Sequence, residues 1–261
     1  MNYETIEIEL NQAVATIWLN RVDVYNAINQ QMILELIKAV IDLNKDETVR
    51  VIVFRGRGKH FCTGADLNWM KNAANFTNEE NLKESKTLAM CFHSIYHCSK
   101  PTIALVQGAV MGGGNGLMAA CDFVYAMDDA YFALSEVKLG LIPATISPFI
   151  IKRIGEFNAK DLMLTARKID VVTASEMRLI NRYGTSAEIE EQLKSTIHYL
   201  LAAGPNAINA CKNLIYDVMN ILKHNELTDY TASAIASIRK TEEAQEGMEA
   251  FLEKRKPYWN Q

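Results

Sequence analysis

The stretch Gln107 to Cys121, QGAVMGGGNGLMAAC, restricts the fold of this chain more than any other. Three consecutive glycines, Gly112, Gly113 and Gly114, separate an apolar run at 102–106 from a run of small and apolar residues at 117–121. The pattern predicts a buried strand, a tight turn, and a helix that begins on glycine. Without a Cβ, glycine lets another backbone or a ligand approach closely and tolerates positive φ. The first amides of a helix have no partner within it and favour an oxygen that carries negative charge. The stretch is therefore a candidate oxyanion site. A turn that needs glycine only for packing is the competing reading, and for a glycine turn taken alone it is the favoured one.

Around this turn the hydrophobic period changes twice. Residues 5–10 and 14–19 alternate and read as two antiparallel strands joined at Asn11-Gln12. Residues 27–43 carry apolar side chains at helical spacing, and 51–54 is a short buried strand. A helical stretch from Leu67, a polar insert at 72–80 and a helix at 82–97 precede the strand at 102–106. Short strands follow at 123–126 and 131–133. A helix at 147–154 has a serine cap and Pro148 in its first turn. From about residue 158 the chain reads almost wholly as helix, with segments at 159–165, 173–179, 187–203, 206–222, 226–239 and 242–254. Strand–helix alternation followed by helices predicts an α/β core at 1–195 with a helical region at 196–261.

Composition narrows the function. Of 261 residues, 49% are hydrophobic and 22% charged, which suits a packed core. A net charge of −4 and the absence of a basic stripe argue against a nucleic-acid partner. No apolar run reaches the roughly 20 residues that span a bilayer. The N-terminus MNYETIEIEL has neither a signal nor a transit pattern. Cys62, Cys91, Cys98, Cys121 and Cys211 are an odd set without a CxxC pair, as expected of reduced thiols in the cytoplasm.

A second loop repeats the logic of the first. Residues 55–66, RGRGKHFCTGAD, leave a buried strand and enter a helix at Asp66, a good N-cap residue. If the two loops converge, one amide from each can hold a single carbonyl oxygen between them.

FCTGADL at Phe61 and VQGAVMGGGNGLMAACD at Val106 together resemble the signature of the crotonase, or enoyl-CoA hydratase/isomerase, family. The resemblance extends over nearly the whole chain, through WLNRVDVYNAIN at Trp18, VIVFRGRGKHFCTGAD at Val51, FALSEVKLGLIPA at Phe132 and QEGMEAFLEKRKPYW at Gln245. It implies a spiral of ββα units and an acyl-CoA thioester substrate, with no metal and no cofactor beyond the coenzyme A of the substrate. It also implies a homotrimer or dimer of trimers assembled through the C-terminal helices. By position it places the oxyanion donors on Thr63 and Gly113. It lines the CoA and acyl path with Thr63, Gly64, Ala65, Asp66, Leu67, Gly112, Gly113 and Gly116.

Hydratases of this family hold a water between two glutamates. The resemblance puts the later one at Glu136, in ALSEVKLG, and finds Gly116 where the earlier one belongs. Glu136 is thus the candidate general acid/base, since a carboxyl in an apolar cleft can be tuned toward neutrality. Loss of the glutamate at Gly116 removes a charge and is expected to open volume beside the acyl chain. With GADLNWMK and ALSEVKLGLIPATISP the chain is similar to the methylglutaconyl-CoA hydratase branch, so a branched or carboxylated 2-enoyl-CoA is the expected substrate. Isomerisation or decarboxylation through the same enolate is the enzymatic alternative, and a CoA- or RNA-binding scaffold the non-enzymatic one.

Weaker candidates remain. Trp69 and Met70 could shape the acyl pocket, and Lys71 could meet an acyl carboxylate. Arg55, Arg57 and Lys59 could touch CoA phosphates, or lie on a solvated loop. Asp66 and Asp122 read better as structural. His93 and His97 are one helical turn apart but lack a third ligand, and Cys62 lacks a basic partner. Phe251, Lys254 and Lys256 could reach the CoA of a neighbouring subunit.

Overall fold

The computed structural model describes residues 3–73, 75–220, 227–238 and 241–260, without the side chains of residues 73, 227–229, 232, 236 and 251. The predicted helix ends at Leu222, Glu226 and Arg239, and the Phe251 side chain, lie outside the described residues. The elements run β1 (Ile6–Asn11), β2 (Val14–Leu19), α1 (Gln30–Lys45), β3 (Val51–Gly56), α2 (Leu67–Ala73), α3 (Asn78–Tyr96), β4 (Thr102–Val106), β5 (Ala109–Met111) and α4 (Gly113–Ala119). They continue with β6 (Phe123–Met127), β7 (Tyr131–Ala133), α5 (Ser147–Thr165), β8 (Ile169–Asp170), α6 (Val171–Glu176), β9 (Arg182–Gly184), α7 (Ser186–Ala202), α8 (Pro205–Asn220), α9 (Leu227–Ile238) and α10 (Glu242–Leu252).

Among the described residues the strands form two sheets, ordered β1-β2-β3-β4-β6-β9 and β5-β7-β8. β1 and β2 form an antiparallel hairpin, and from β2 to β9 the large sheet is parallel. The chain lays β4 in the large sheet and β5 in the small one, then returns through α4. It repeats the step with β6, β7 and α5. Isolated parallel bridges, Cys62 to Val110 and Ile28 to Ala65, carry the small sheet's pairing back toward the two preceding turns. The coil of ββα units is thus built from strand pairs that each strand–loop junction contributes.

Side-chain pattern explains the layers. β3 is apolar and buried from Val51 to Phe54 and β4 from Ile103 to Val106, so both are covered on both faces, whereas β2 alternates and buries Ala15, Ile17 and Leu19. α1 turns Met32, Ile33, Leu36, Ala39, Val40 and Leu43 inward. Burying one of the larger of these side chains, Met, Ile, Leu or Val, contributes about 1.5–3 kcal/mol. Asn29 caps α1 by accepting from Met32 N–H.

The polar insert proves to be a helix start. Thr77 and Glu80 form a capping box, so α3 begins at Asn78, four residues before the predicted Leu82. At α5 the expected serine cap is absent. Ile146 is the N-cap, and Ser147 donates its hydroxyl to Ala144 O instead. The break predicted after Ile154 is a kink at Gly155, whose φ of 71° no helix accommodates.

The chain folds into two units, residues 1–98 with 102–193, and 99–101 with 194–261. In the second, Glu243 caps α8 by accepting from Asn206 and Ala207 N–H, and Trp259 Nε1 donates to Ala202 O. No helix among the described residues is long and apolar enough to cross a membrane.

Candidate active site

The glycine turn and the 55–66 loop converge. Phe61 N–H donates to Gln107 O at 2.8 Å, Cys62 N–H to Ala109 O at 3.2 Å, and Met111 N–H to Cys62 O at 3.0 Å. On the other side Ile28 N–H donates to Gly64 O at 2.7 Å and Asp66 N–H to Ile28 O at 2.8 Å. Two side chains brace this ladder. His60 Nδ1 accepts from Ala109 N–H, and burial with Lys59 close by holds the imidazole below its ordinary value, which favours the neutral acceptor. Asn26 is fully buried and donates to Arg57 O and His60 O while accepting from Arg21 N–H.

These bonds decide which amides remain open. Thr63 N–H donates to Tyr25 O at 3.2 Å, so the donor expected at Thr63 is already committed to the backbone. Among the described residues, Ala65 N–H and Gly113 N–H find no acceptor. Both residues line a cleft of about 160 Å³ with Ile28, Trp69, Leu88, Glu136, Ile142, Pro143, Thr145 and Ile146. Gly113 opens α4, and the preceding Gly112 has φ 43°, ψ −115°, a backbone that glycine tolerates best.

Glu136 enters from the 3₁₀ turn Glu136–Leu139. Its Oε1 lies 3.2 Å from where a Cβ on Gly112 would stand, so the glycine is what lets the carboxyl approach the turn. Oε2 is buried without a hydrogen-bond partner. Burial raises the Glu136 carboxyl above its ordinary value. An unpartnered buried oxygen is costly for folding, and a carboxyl raised by burial in a cleft is a candidate proton-transfer group.

Gly116 overturns an expectation. A Cβ there would stand well inside 3.0 Å of Ile146 Cγ2 and at 3.0 Å from two ring carbons of Phe92. The space that a glutamate side chain would need is filled by apolar side chains and adds nothing to the cleft.

The remaining candidates disperse. The Asp66 carboxylate is buried, accepts from Asn68 and Trp69 N–H to cap α2, and pairs with Arg21 at 2.9 Å. Burial pushes that carboxyl up, but the bonds from Trp69, Arg21 and Asn68 outweigh it and leave it below its ordinary value. Gly64 packs against Met111 and is not among the residues lining the cleft, and Leu67 is 73% exposed. Arg55 pairs with Glu190, and Arg57 with Glu7 and Glu9, so neither guanidinium stands free for a CoA phosphate. Asp122 accepts from Thr102 N–H and hydroxyl, a structural tie between strand ends. His93 and His97 stack at 4.1 Å between ring centroids, and no group of three metal-ligating side chains occurs among the described residues. Burial pushes the Cys62 thiol up to about 12, which suits packing and not nucleophilic attack.

The sequence pointed to Ala65, Trp69, Gly113 and Glu136 at the cleft and not to Ile28, Leu88, Ile142, Pro143, Thr145 and Ile146. The unforeseen residues come from α3 and from the segments before α1 and α5, and their spacing alone does not mark them as lining a site.

The chain is similar to known proteins over nearly its whole length. The family profile described as enoyl-CoA hydratase/isomerase matches residues 9–261. An enoyl-CoA hydratase from Shewanella pealeana superposes with a TM-score of 0.95 at 37% identity, covering 98% of this chain and 96% of that one. A crotonyl-CoA hydratase of Syntrophomonas wolfei is 32% identical over 258 residues, 98% of each chain. A peroxisomal Delta(3,5)-Delta(2,4)-dienoyl-CoA isomerase of Arabidopsis thaliana is 29% identical over 273 residues, 98% of this chain and 97% of the relative.

Proposed function

The chain belongs to the enoyl-CoA hydratase/isomerase family, and from that premise we propose that it adds water to, or removes it from, a 2-enoyl-CoA thioester with Glu136 as its single acid/base. The observation that carries this reading is the meeting of two unpaired amides, Ala65 and Gly113, with one unpartnered carboxyl oxygen in one cleft. The amides hold the thioester oxygen and stabilise the charge it gains. The Glu136 carboxylate takes a proton from water as the water oxygen bonds to the β-carbon. The thioester oxygen carries the negative charge of the enolate, and Glu136 then delivers the proton to the α-carbon.

Isomerisation is a second reading that the single carboxylate favours. The same group would take a proton from one carbon and return it two carbons away, with no water added. A methylglutaconyl thioester fits less well than a branched apolar one, because none of the described residues lining the cleft is cationic and Glu136 is a like charge. The trimer implied by the resemblance is supported by the exposed apolar side chains Ile215, Met219 and Leu252 of the helical unit. A single-chain mass in solution would overturn it.

Incubation with crotonyl-CoA and with branched 2-enoyl-CoAs, with and without a terminal carboxylate, tests the reaction. Hydration adds the mass of one water. Isomerisation leaves the mass and moves the double bond. If no thioester in the set changes, the enzymatic reading fails.

The choice of amides is testable separately. Replacing the Ala65 peptide N–H by an ester oxygen is expected to lower kcat by about 10²–10³, as for other single oxyanion donors. The same replacement at Thr63 removes only the bond to Tyr25 O and is expected to leave kcat nearly unchanged. Equal losses at both positions would count against the assignment.

A further inference from the structure

We propose that Ile146 is the wall that sets acyl-chain length, and that the cleft takes a short acyl group of about four to six carbons. The inference rests on the acyl-CoA reading above and adds the size of the acyl group and the residue that limits it. A cavity of about 150 Å³ holds a six-carbon molecule such as benzene, and the cleft here measures about 160 Å³. The reacting carbons must occupy that volume between Glu136, Ala65 and Gly113, which leaves room for only a few more.

Ile146 is 2% exposed, lines the cleft and occupies the N-cap of α5. It also packs against Gly116, so closely that a Cβ at 116 would collide with its Cγ2. Phe92 reaches the same point, and its ring lies 6.3 Å from that of Phe149. One side chain thus separates the cleft from a glycine on the site helix. Shortening Ile146 to alanine removes three carbons from that wall, and α4 offers no side chain at 116 to refill the space.

Binding of saturated thioesters tests this without any turnover. Butyryl-, hexanoyl-, octanoyl- and decanoyl-CoA are titrated calorimetrically into the full-length protein and its variants. In the wild type, affinity is expected to rise by about fourfold per methylene up to hexanoyl and then level off. In Ile146→Ala the rise is expected to continue to octanoyl, so that the octanoyl-to-hexanoyl affinity ratio increases about tenfold. Adding Gly116→Ala to Ile146→Ala puts a methyl back behind the cleft and is expected to return the ratio toward the wild-type value. These are ratios of dissociation constants within one protein, so partial loss of folded material does not move them. An unchanged chain-length profile in Ile146→Ala overturns the wall. Failure of every thioester to bind overturns the acyl-CoA reading together with it, so the two failures are distinguishable.

Discussion

Glu136→Gln is expected to lower kcat by about 10²–10⁴ while changing the affinity for a saturated acyl-CoA little. Glutamine keeps the shape and hydrogen-bonding reach of the side chain but cannot take or return a proton. The thioester oxygen would still find Ala65 and Gly113, so binding should survive. Steady-state rates together with calorimetric binding measure both quantities. If kcat falls less than threefold, Glu136 leaves the mechanism.

The same substitution carries a pH signature. Burial raises the Glu136 carboxyl in the folded protein above its ordinary 4.5. If the ionised form takes the proton from water, kcat/KM should rise with pH through that raised value, above the range of an exposed glutamate. Stability follows the opposite direction. The folded state holds the Glu136 proton more tightly than the unfolded chain, so this contribution is complete below the ordinary value and is lost as pH rises through the folded one. Glutamine has no such dependence. The melting temperature of Glu136→Gln relative to wild type should therefore increase between acid and neutral pH. A difference that does not change with pH would mean that the carboxyl is not perturbed by burial.

Gly116→Glu, which restores the residue type that the resemblance assigns to this position, is expected to destabilise the protein by about 3 kcal/mol or more and to yield no faster hydration. Its Cβ alone collides with Ile146 and Phe92, and its carboxylate would enter an apolar cluster. For a domain of this size the melting temperature would fall by about 6 °C or more. Combining it with Ile146→Ala should recover part of the loss, because the nearest obstructing atom is then gone. Wild-type stability together with increased hydration in the single variant would show that the site has room for two carboxylates.

How much of this was legible in the sequence depends on the range of the interaction that decides each feature. The apolar runs at Val51 and Thr102 announced buried strands because both faces of a parallel sheet are covered. Helix α3 was misplaced at its start because Thr77 and Glu80 form a capping box inside a polar stretch that carries no apolar period. The Ser147 cap failed because its hydroxyl found a nearer carbonyl, Ala144 O. Glu136 was recognisable only through the family resemblance, since the cleft around it is completed by Ile28, Ala65, Trp69, Leu88 and Gly113 from elsewhere in the chain.

The sequence by itself determined the strand and helix periods, the glycine turn at Gly112–Gly114, the second loop ending at Asp66, and the family they jointly mark. Each of these follows from local chemistry: the absence of a Cβ, the spacing of apolar residues, or the side chain available for a cap. The tertiary structure alone decided which amides are free and what stands beside Gly116. The Thr63 N–H is taken by the carbonyl of Tyr25, thirty-eight residues earlier, and the Ala65 N–H is left open. The space expected at Gly116 is taken by Ile146 and Phe92, from either side of it in the chain. These hydrogen-bond partners and contacts join segments distant in sequence, and no local pattern encodes them.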